Sequence, residues 1–265
     1  MEGRWYPEEE KPMSRRGMTH ALVAFGLALA FATGLPVARA EEKPSIEPEA
    51  ALLLKTTLER IGGAKSFTFR AEVADDTTLP SGQKIQFAGT LEVAVRRPNG
   101  FWNKFEGEQR TARSWYDGKT FTLLNDGKNV YACWPAPERI DDLLGVMREK
   151  LGFTPPLARL LRDNLAATAL AKVTSGFIVG RGVIGGTPCR HLAFRGEKTD
   201  WQVWVSEGGE PVIKRIVITY KLEPAAPQYA ATFSSWDFEP RLSDAAFVFT
   251  PPQGAVQCEF EEISR

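Results

Sequence analysis

Cys189 and His191 stand two residues apart in "PCRHLAFRG" (188–196), and His191 is the only histidine beyond position 20. A thiol beside an imidazole can act as a nucleophile or hold a soft metal, so enzyme chemistry would start here. A zinc site wants three or four ligands. Beyond position 20 the chain has no second histidine, and Cys133 and Cys258 are distant in sequence. A Cys–His nucleophile also needs an orienting group and an oxyanion hole, and the neighbouring residues suggest neither. On a strand, residues two apart face the same way. Alternation then accounts for the segment: Leu192 and Phe194 face a core, while Cys189 and His191 face the other side.

Other chemical signatures are missing. There is no G-x-S-x-G elbow, no glycine-rich phosphate loop before a helix and no H-E-x-x-H. Asp141-Asp142 open a helix, where carboxylates meet the positive end of the dipole, and Glu259, Glu261 and Glu262 read as a solvated tail. We expect no catalytic residue, no metal and no cofactor. A hydrolase with an unrecognised site stays open as an alternative; it requires paired carboxylates, or His191 hydrogen-bonded to one.

The compartment is legible from the N-terminus. Ala21 to Pro36 is an uncharged run of 16 residues, preceded by Arg15-Arg16 and followed by Ala38-Arg39-Ala40. That run is shorter than the roughly 20 residues of a membrane span. Basic flank, apolar run and A-x-A site together predict a signal peptide over 1–40, cleaved after Ala40. Met13 is the expected start, and "SRRGM" admits the twin-arginine route beside the general secretory one. The mature chain is expected to be periplasmic or secreted and not membrane-spanning. The leader takes five Lys/Arg and four Asp/Glu with it, leaving 28 basic and 29 acidic residues. This balance argues against nucleic acid, whose binding needs a basic excess. The compartment permits disulfides, and pairing among Cys133, Cys189 and Cys258 stays open.

The elements that must carry any site follow from periodicity. Residues 41–48 read as a flexible N-terminus. Over 49–61, Ala50, Leu53, Leu54, Leu58 and Ile61 recur at helical spacing, with Gly62-Gly63 as the stop. The period then becomes two: Phe67, Phe69, Ala71 and Val73, then Ile85, Phe87, Leu91, Val93 and Val95 with Gly89 marking a bend. A strand of 85–95 runs roughly 37 Å, which suits a large curved sheet. Asp117-Gly118 and Asp126-Gly127 are hairpin turns in a meander of six strands. Two helices follow, 138–150 with Ile140, Leu143, Leu144 and Met147, and 157–170 with Leu157, Leu160, Leu161 and Leu165. Five more strands complete an α+β, mainly β chain of about 11 antiparallel strands, 49–265 forming one domain. Its apolar face must be covered, and the three helices are the available cover. In "DWQVWV", Trp201, Val203 and Val205 take one face and Trp204 the other, so both faces are partly apolar.

Several stretches together resemble a known family: "GQKIQF" (82–87), "VRRP" (95–98), "YDGKTFTL" (116–123), "CRHLAFR" (189–195), "DWQVW" (200–204), "ITYK" (218–221) and "PQYAATFSSW" (227–236). They are similar to the predicted periplasmic proteins of domain of unknown function 2092, over about residues 50–255. The resemblance implies a fold related to the lipoprotein carriers LolA and LolB, a curved antiparallel half-barrel with helices over its mouth. It implies, by analogy of fold, a non-catalytic carrier for a lipid or a lipoprotein acyl chain. The expected cavity residues are Leu143, Leu144, Met147, Leu157 and Leu161 from the lid, and Phe67, Phe69, Phe87, Leu91 and Trp204 from the sheet. A parity error would turn a whole strand outward. The rival is a filled-core module that docks an envelope protein, and cavity volume separates the two.

Overall fold

Pro48 opens the first helix, α1 (Pro48–Gly63), as proline does at a first turn. The computed structural model describes residues 45–151, 155 and 157–260; the expected leader lies outside them. Ala50, Leu54, Leu58 and Ile61 form the buried stripe of α1, and the buried Thr57 hydroxyl donates to the Leu53 carbonyl at 2.7 Å. The helix runs through Gly62 and Gly63, neither of which is left-handed. Gly62 serves packing instead. A Cβ there would sit 2.6 Å from the Asp163 carbonyl oxygen. The segment expected to be flexible is described from Ser45 onward, where the Glu47 N–H donates to the Gly176 carbonyl at 2.8 Å.

The strands are β1 (Ser66–Thr78), β2 (Lys84–Arg96), β3 (Gly100–Gly107), β4 (Thr111–Tyr116), β5 (Thr120–Asn125) and β6 (Val130–Pro135). After the helical segment come β7 (Val173–Ile184), β8 (Thr187–Gly196), β9 (Thr199–Ser206), β10 (Ile213–Tyr220) and β11 (Gln228–Asp237). A twelfth strand, β12 (Val256–Gln257), has two residues and lies parallel to β6. The order is β12-β6-β5-β4-β3-β2-β1-β11-β10-β9-β8-β7. All other pairs are antiparallel. The chain thus builds one wing outward from β1 to β6, then returns to lay β11 beside β1 and finish the other wing. The result is an open, curved half-barrel, mainly β, of 12 strands where about 11 were expected. β12 escaped notice because two residues carry no period.

Helix α2 (Ile140–Leu151) matches expectation. The helix expected over 157–170 is broken into a 3-10 turn, Ala158–Leu161, and a short α3, Leu165–Ala169. A side chain from the sheet meets the break. Arg97, from the β2–β3 turn, takes the carbonyls of Leu160 and Arg162 at 3.3 and 2.8 Å, and that of Ala64 at 2.8 Å. Arg162 turns extended beneath it.

Candidate functional site: the inner face of the sheet

One face of the sheet carries the core. Strand alternation puts Phe67, Phe69, Ala71 and Val73 of β1 on it, with Val93 and Val95 of β2, Leu192 and Phe194 of β8, and Val203 and Val205 of β9. The helices close over these residues. Leu143, Leu144 and Met147 of α2 and Leu157 and Leu161 beside the 3-10 turn are buried in the same cluster as Phe67 and Phe69. Leu91 packs against it and is half-buried. Eight of the ten expected cavity residues therefore meet in one place. Phe87 lies on the same face, four residues beyond Leu91 and half-buried.

Trp204 is corrected. It faces the opposite side of the sheet from Val203 and Val205, where its ring stacks on His191 at 4.0 Å and 11°, with the Arg215 guanidinium 5.8 Å from it. Trp201 is the tryptophan of β9 on the inner face, stacked on Phe194 at 4.3 Å. The two alternate, and the polar neighbours His191, Arg215 and Gln202 belong to Trp204's side. On that outer face His191 Nε2 meets Gln202 Oε1 at 2.9 Å, an amide where the hydrolase alternative requires a carboxylate. Cys189 is buried beside it, its Sγ directed at the Thr187 carbonyl, and burial pushes the thiol pKa up. Cys133 is an exposed free thiol on β6. Among the described residues no group of three His, Cys, Asp or Glu could hold a metal.

Beneath the helices aromatic rings of the core pack against one another. Phe69 makes ring contacts with Phe233 and Trp236 at 5.3 and 5.0 Å, and Phe121 with Trp134 at 4.7 Å. Two concavities, of about 700 and 570 Å³, lie elsewhere. The first is an open trough lined by Glu72, Thr90, Glu106, Arg215 and Thr232 of the outer face. The second lies by the β1–β2 hairpin.

Toward the β1–β2 hairpin the inner face runs out of cover. Phe87, Leu91, Phe105, Ile218 and Tyr220 are half-buried there. Phe105 lies flat over the facing pair Gly89 and Gly107, where an added Cβ would come within 2.9 and 2.5 Å of its ring. Gly89 marks the seat of this ring within an unbroken β2. Beyond the ring the register sets Asp75 opposite both Phe87 and Tyr229. Burial holds the Tyr220 hydroxyl up to about 12 and raises Tyr229 further, with the Asp75 charge adding to both. Loss of solvent and the adjacent Asp76 raise Asp75, while Arg110 opposes them.

The helical cover is fastened by charge. Arg97 stacks on Phe67 at 5.1 Å, and burial lowers its pKa while Asp141 and Asp163 support its charge. Asp141 is itself raised, by burial first and then by its hydrogen bond with Asp163. Arg139 Nη2 meets Asp163 Oδ2 at 2.7 Å, and Arg162 Nη1 meets Asp141 Oδ1 at 3.5 Å. Asp141 thus does more than open α2. It joins that helix to the segment between the 3-10 turn and α3.

Among the described residues no helix is long and apolar enough to cross a membrane. No curated protein matches the sequence. Among solved structures the chain resembles LprF from Mycobacterium bovis at 16% identity, covering 80% of this chain and 99% of that one with a TM-score of 0.46. It resembles the Mycobacterium tuberculosis lipoprotein LppX at 15% identity, covering 74% and 98% with a TM-score of 0.46. It also resembles a LolA superfamily protein from Nitrosomonas europaea at 11% identity, covering 76% and 97% with a TM-score of 0.34. The model of the family described as predicted periplasmic protein, domain of unknown function 2092, matches residues 50–261, and the chain belongs to that family of periplasmic proteins.

Proposed function

We propose that this protein is a non-catalytic periplasmic binder of a lipid or lipoprotein acyl chain, held against the inner face of the half-barrel. One observation carries the reading. The apolar face does not end where the helices end. Leu91, Phe105, Ile218, Tyr220 and Phe87 continue it half-buried. A chain laid on this strip would remove apolar surface from water at about 0.8 kcal/mol per CH₂. The signal peptide over residues 1–40 is part of the same proposal. The test is native mass spectrometry of protein exported to a bacterial periplasm and purified without detergent. A stoichiometric extra mass that organic extraction removes is the expected result. The bare chain, with no uptake of added fatty acid or phospholipid, overturns it.

The ring packing among Phe69, Phe233 and Trp236 favours a second reading, an envelope interaction module that docks a protein partner and has no lipid cargo. It predicts the bare chain mass and an unchanged thermal midpoint with every lipid added.

A further inference from the structure

The uncovered end of the inner face is not apolar to its edge. Asp75, Tyr220 and Tyr229 converge there by register: Tyr229 faces Asp75 on β1 and Ile218 on β10, and Tyr220 follows Ile218 on the same face. Tyr229 is only 7% exposed. Among the described residues neither tyrosine hydroxyl nor the Asp75 carboxylate has a hydrogen-bond or ion-pair partner within the protein. None of these oxygens is sealed off without a partner, so they reach the surface, and a cluster of acceptors and donors open to solvent beside an apolar strip is a place for a ligand's polar end. Its sign is legible. Asp75 and Glu223 both act on Tyr220, and Asp75 on Tyr229, each disfavouring negative charge. A carboxylate set between the rings of Tyr229 and Phe87, with Tyr220 on the same face, is a surrounding an ammonium group prefers, through the charge and the aromatic rings together. Two cations act on the cluster, Arg110 on Asp75 and Arg159 on Tyr220. Arg110 lies 5.8 Å from the Phe105 ring, and Arg159 is exposed on the 3-10 turn.

We infer that the open end of the inner face receives the head of a zwitterionic phospholipid, with Asp75, Tyr220 and Tyr229 around its ammonium and Arg110 and Arg159 toward its phosphate. This rests on the proposed acyl-chain reading and adds the class of head group. The tail alone would bind through Phe87, Leu91 and Phe105 without preference. The head supplies selection, because an uncharged or purely anionic head brings no ammonium to Asp75.

The experiment compares monomeric lysophosphatidylethanolamine and lysophosphatidylglycerol of one chain length by calorimetric titration of the exported protein, with free phosphoethanolamine as a third probe. The expected result is at least tenfold tighter binding of the ethanolamine lipid and no measurable binding of the free head. Asp75→Asn should bring the two lipids within about threefold of each other, by weakening the ethanolamine lipid and not the glycerol lipid, and should not lower the thermal midpoint. Equal affinities in the unaltered protein, or undiminished preference in Asp75→Asn, overturn this inference alone and leave the acyl-chain reading standing. Binding of the free head as tightly as the lipid would make the site one for a soluble zwitterion and overturn the lipid assignment. Failure of both lipids to bind removes the inference together with the reading beneath it.

Discussion

Substituting Arg97 by methionine removes the guanidinium that holds the lid segment while keeping an apolar stem over Phe67. The two 2.8 Å bonds, to the carbonyls of Ala64 and Arg162, are charge-assisted; the third, to Leu160, is longer at 3.3 Å. Hydrogen bonds to charged groups contribute about 1.5–3 kcal/mol each, so the two short ones amount to roughly 3–6 kcal/mol. Against this stands relief from burying a cation, and its Nε has no partner in the fold. Removing one member of a buried charged set also leaves Asp141 and Asp163 less compensated. A net loss of about 2–4 kcal/mol follows, on the order of 5–15 °C in Tm for a domain of this size. Thermal unfolding followed by circular dichroism measures it. Amide exchange should rise in residues 157–169 and stay unchanged in β7 to β10. Arg97→Lys should recover little, since one ammonium cannot span three carbonyls fixed in a fork. A Tm within 2 °C of the parent, or exchange rising evenly through the sheet, would refute the assignment of Arg97 as the fastening of the lid.

Other outcomes follow from neighbouring contacts. Gly107→Ala drives a methyl into the Phe105 ring, which comes within 2.5 Å of an added Cβ; overpacking of this kind costs about 1–3 kcal/mol, read from urea midpoints. Trp201→Ala should weaken lipid binding and stability together, while Trp204→Ala on the outer face should leave lipid affinity unchanged in the same titration. Asp141 has a folded pKa above its unfolded value, so its contribution is present at low pH and is lost as pH rises through the folded pKa. Asp141→Asn should therefore gain stability relative to the parent between about pH 4 and neutrality, measured as urea midpoints across pH.

Much of this was legible because the core obeys simple periods. Phe67, Phe69, Leu143, Leu144 and Met147 fall on the apolar face of strands or helices whose alternation is long and regular, and the structure brings them together. Trp204 shows the limit. Where both faces of a strand are partly apolar, parity alone cannot say which is inside, and the decision rests on cross-strand neighbours such as His191 and Arg215 that only register brings together. Arg97 was invisible for a different reason. In "VRRP" it is one of two adjacent arginines in a turn, and its partners are backbone carbonyls 33 to 65 residues away. The same holds for Asp75 with Tyr220 and Tyr229. A grouping of β1 with β10 and β11 has no local signature, because it depends on β11 returning to β1 more than 130 residues later in the chain. The broken helix at 157–170 belongs with these, since its apolar period is real and its interruption coincides with a tertiary contact from Arg97.

If the proposed acyl chain binds, the ring packing beneath the helices and the half-buried strip beyond them bear on how long that chain can be. From Leu91 to Phe87 the half-buried strip spans four residues of an antiparallel strand, roughly 14 Å. A short chain can lie there with the lid in place. A longer one must enter the space now occupied by Leu157, Leu161 and Met147, and so must displace the segment that Arg97 holds. If that fastening contributes about 2–4 kcal/mol, then at about 0.8 kcal/mol per CH₂ some three to five additional methylenes are needed to offset it. Affinity plotted against chain length should thus rise, flatten once the strip is full, and rise again when displacement becomes favourable. Arg97→Met should shift the second rise to chains shorter by about three to five carbons while lowering Tm, so that binding and stability move in opposite directions. A single smooth rise in the parent, or a variant that loses both stability and affinity, would mean that bound chains never pass beneath the helices.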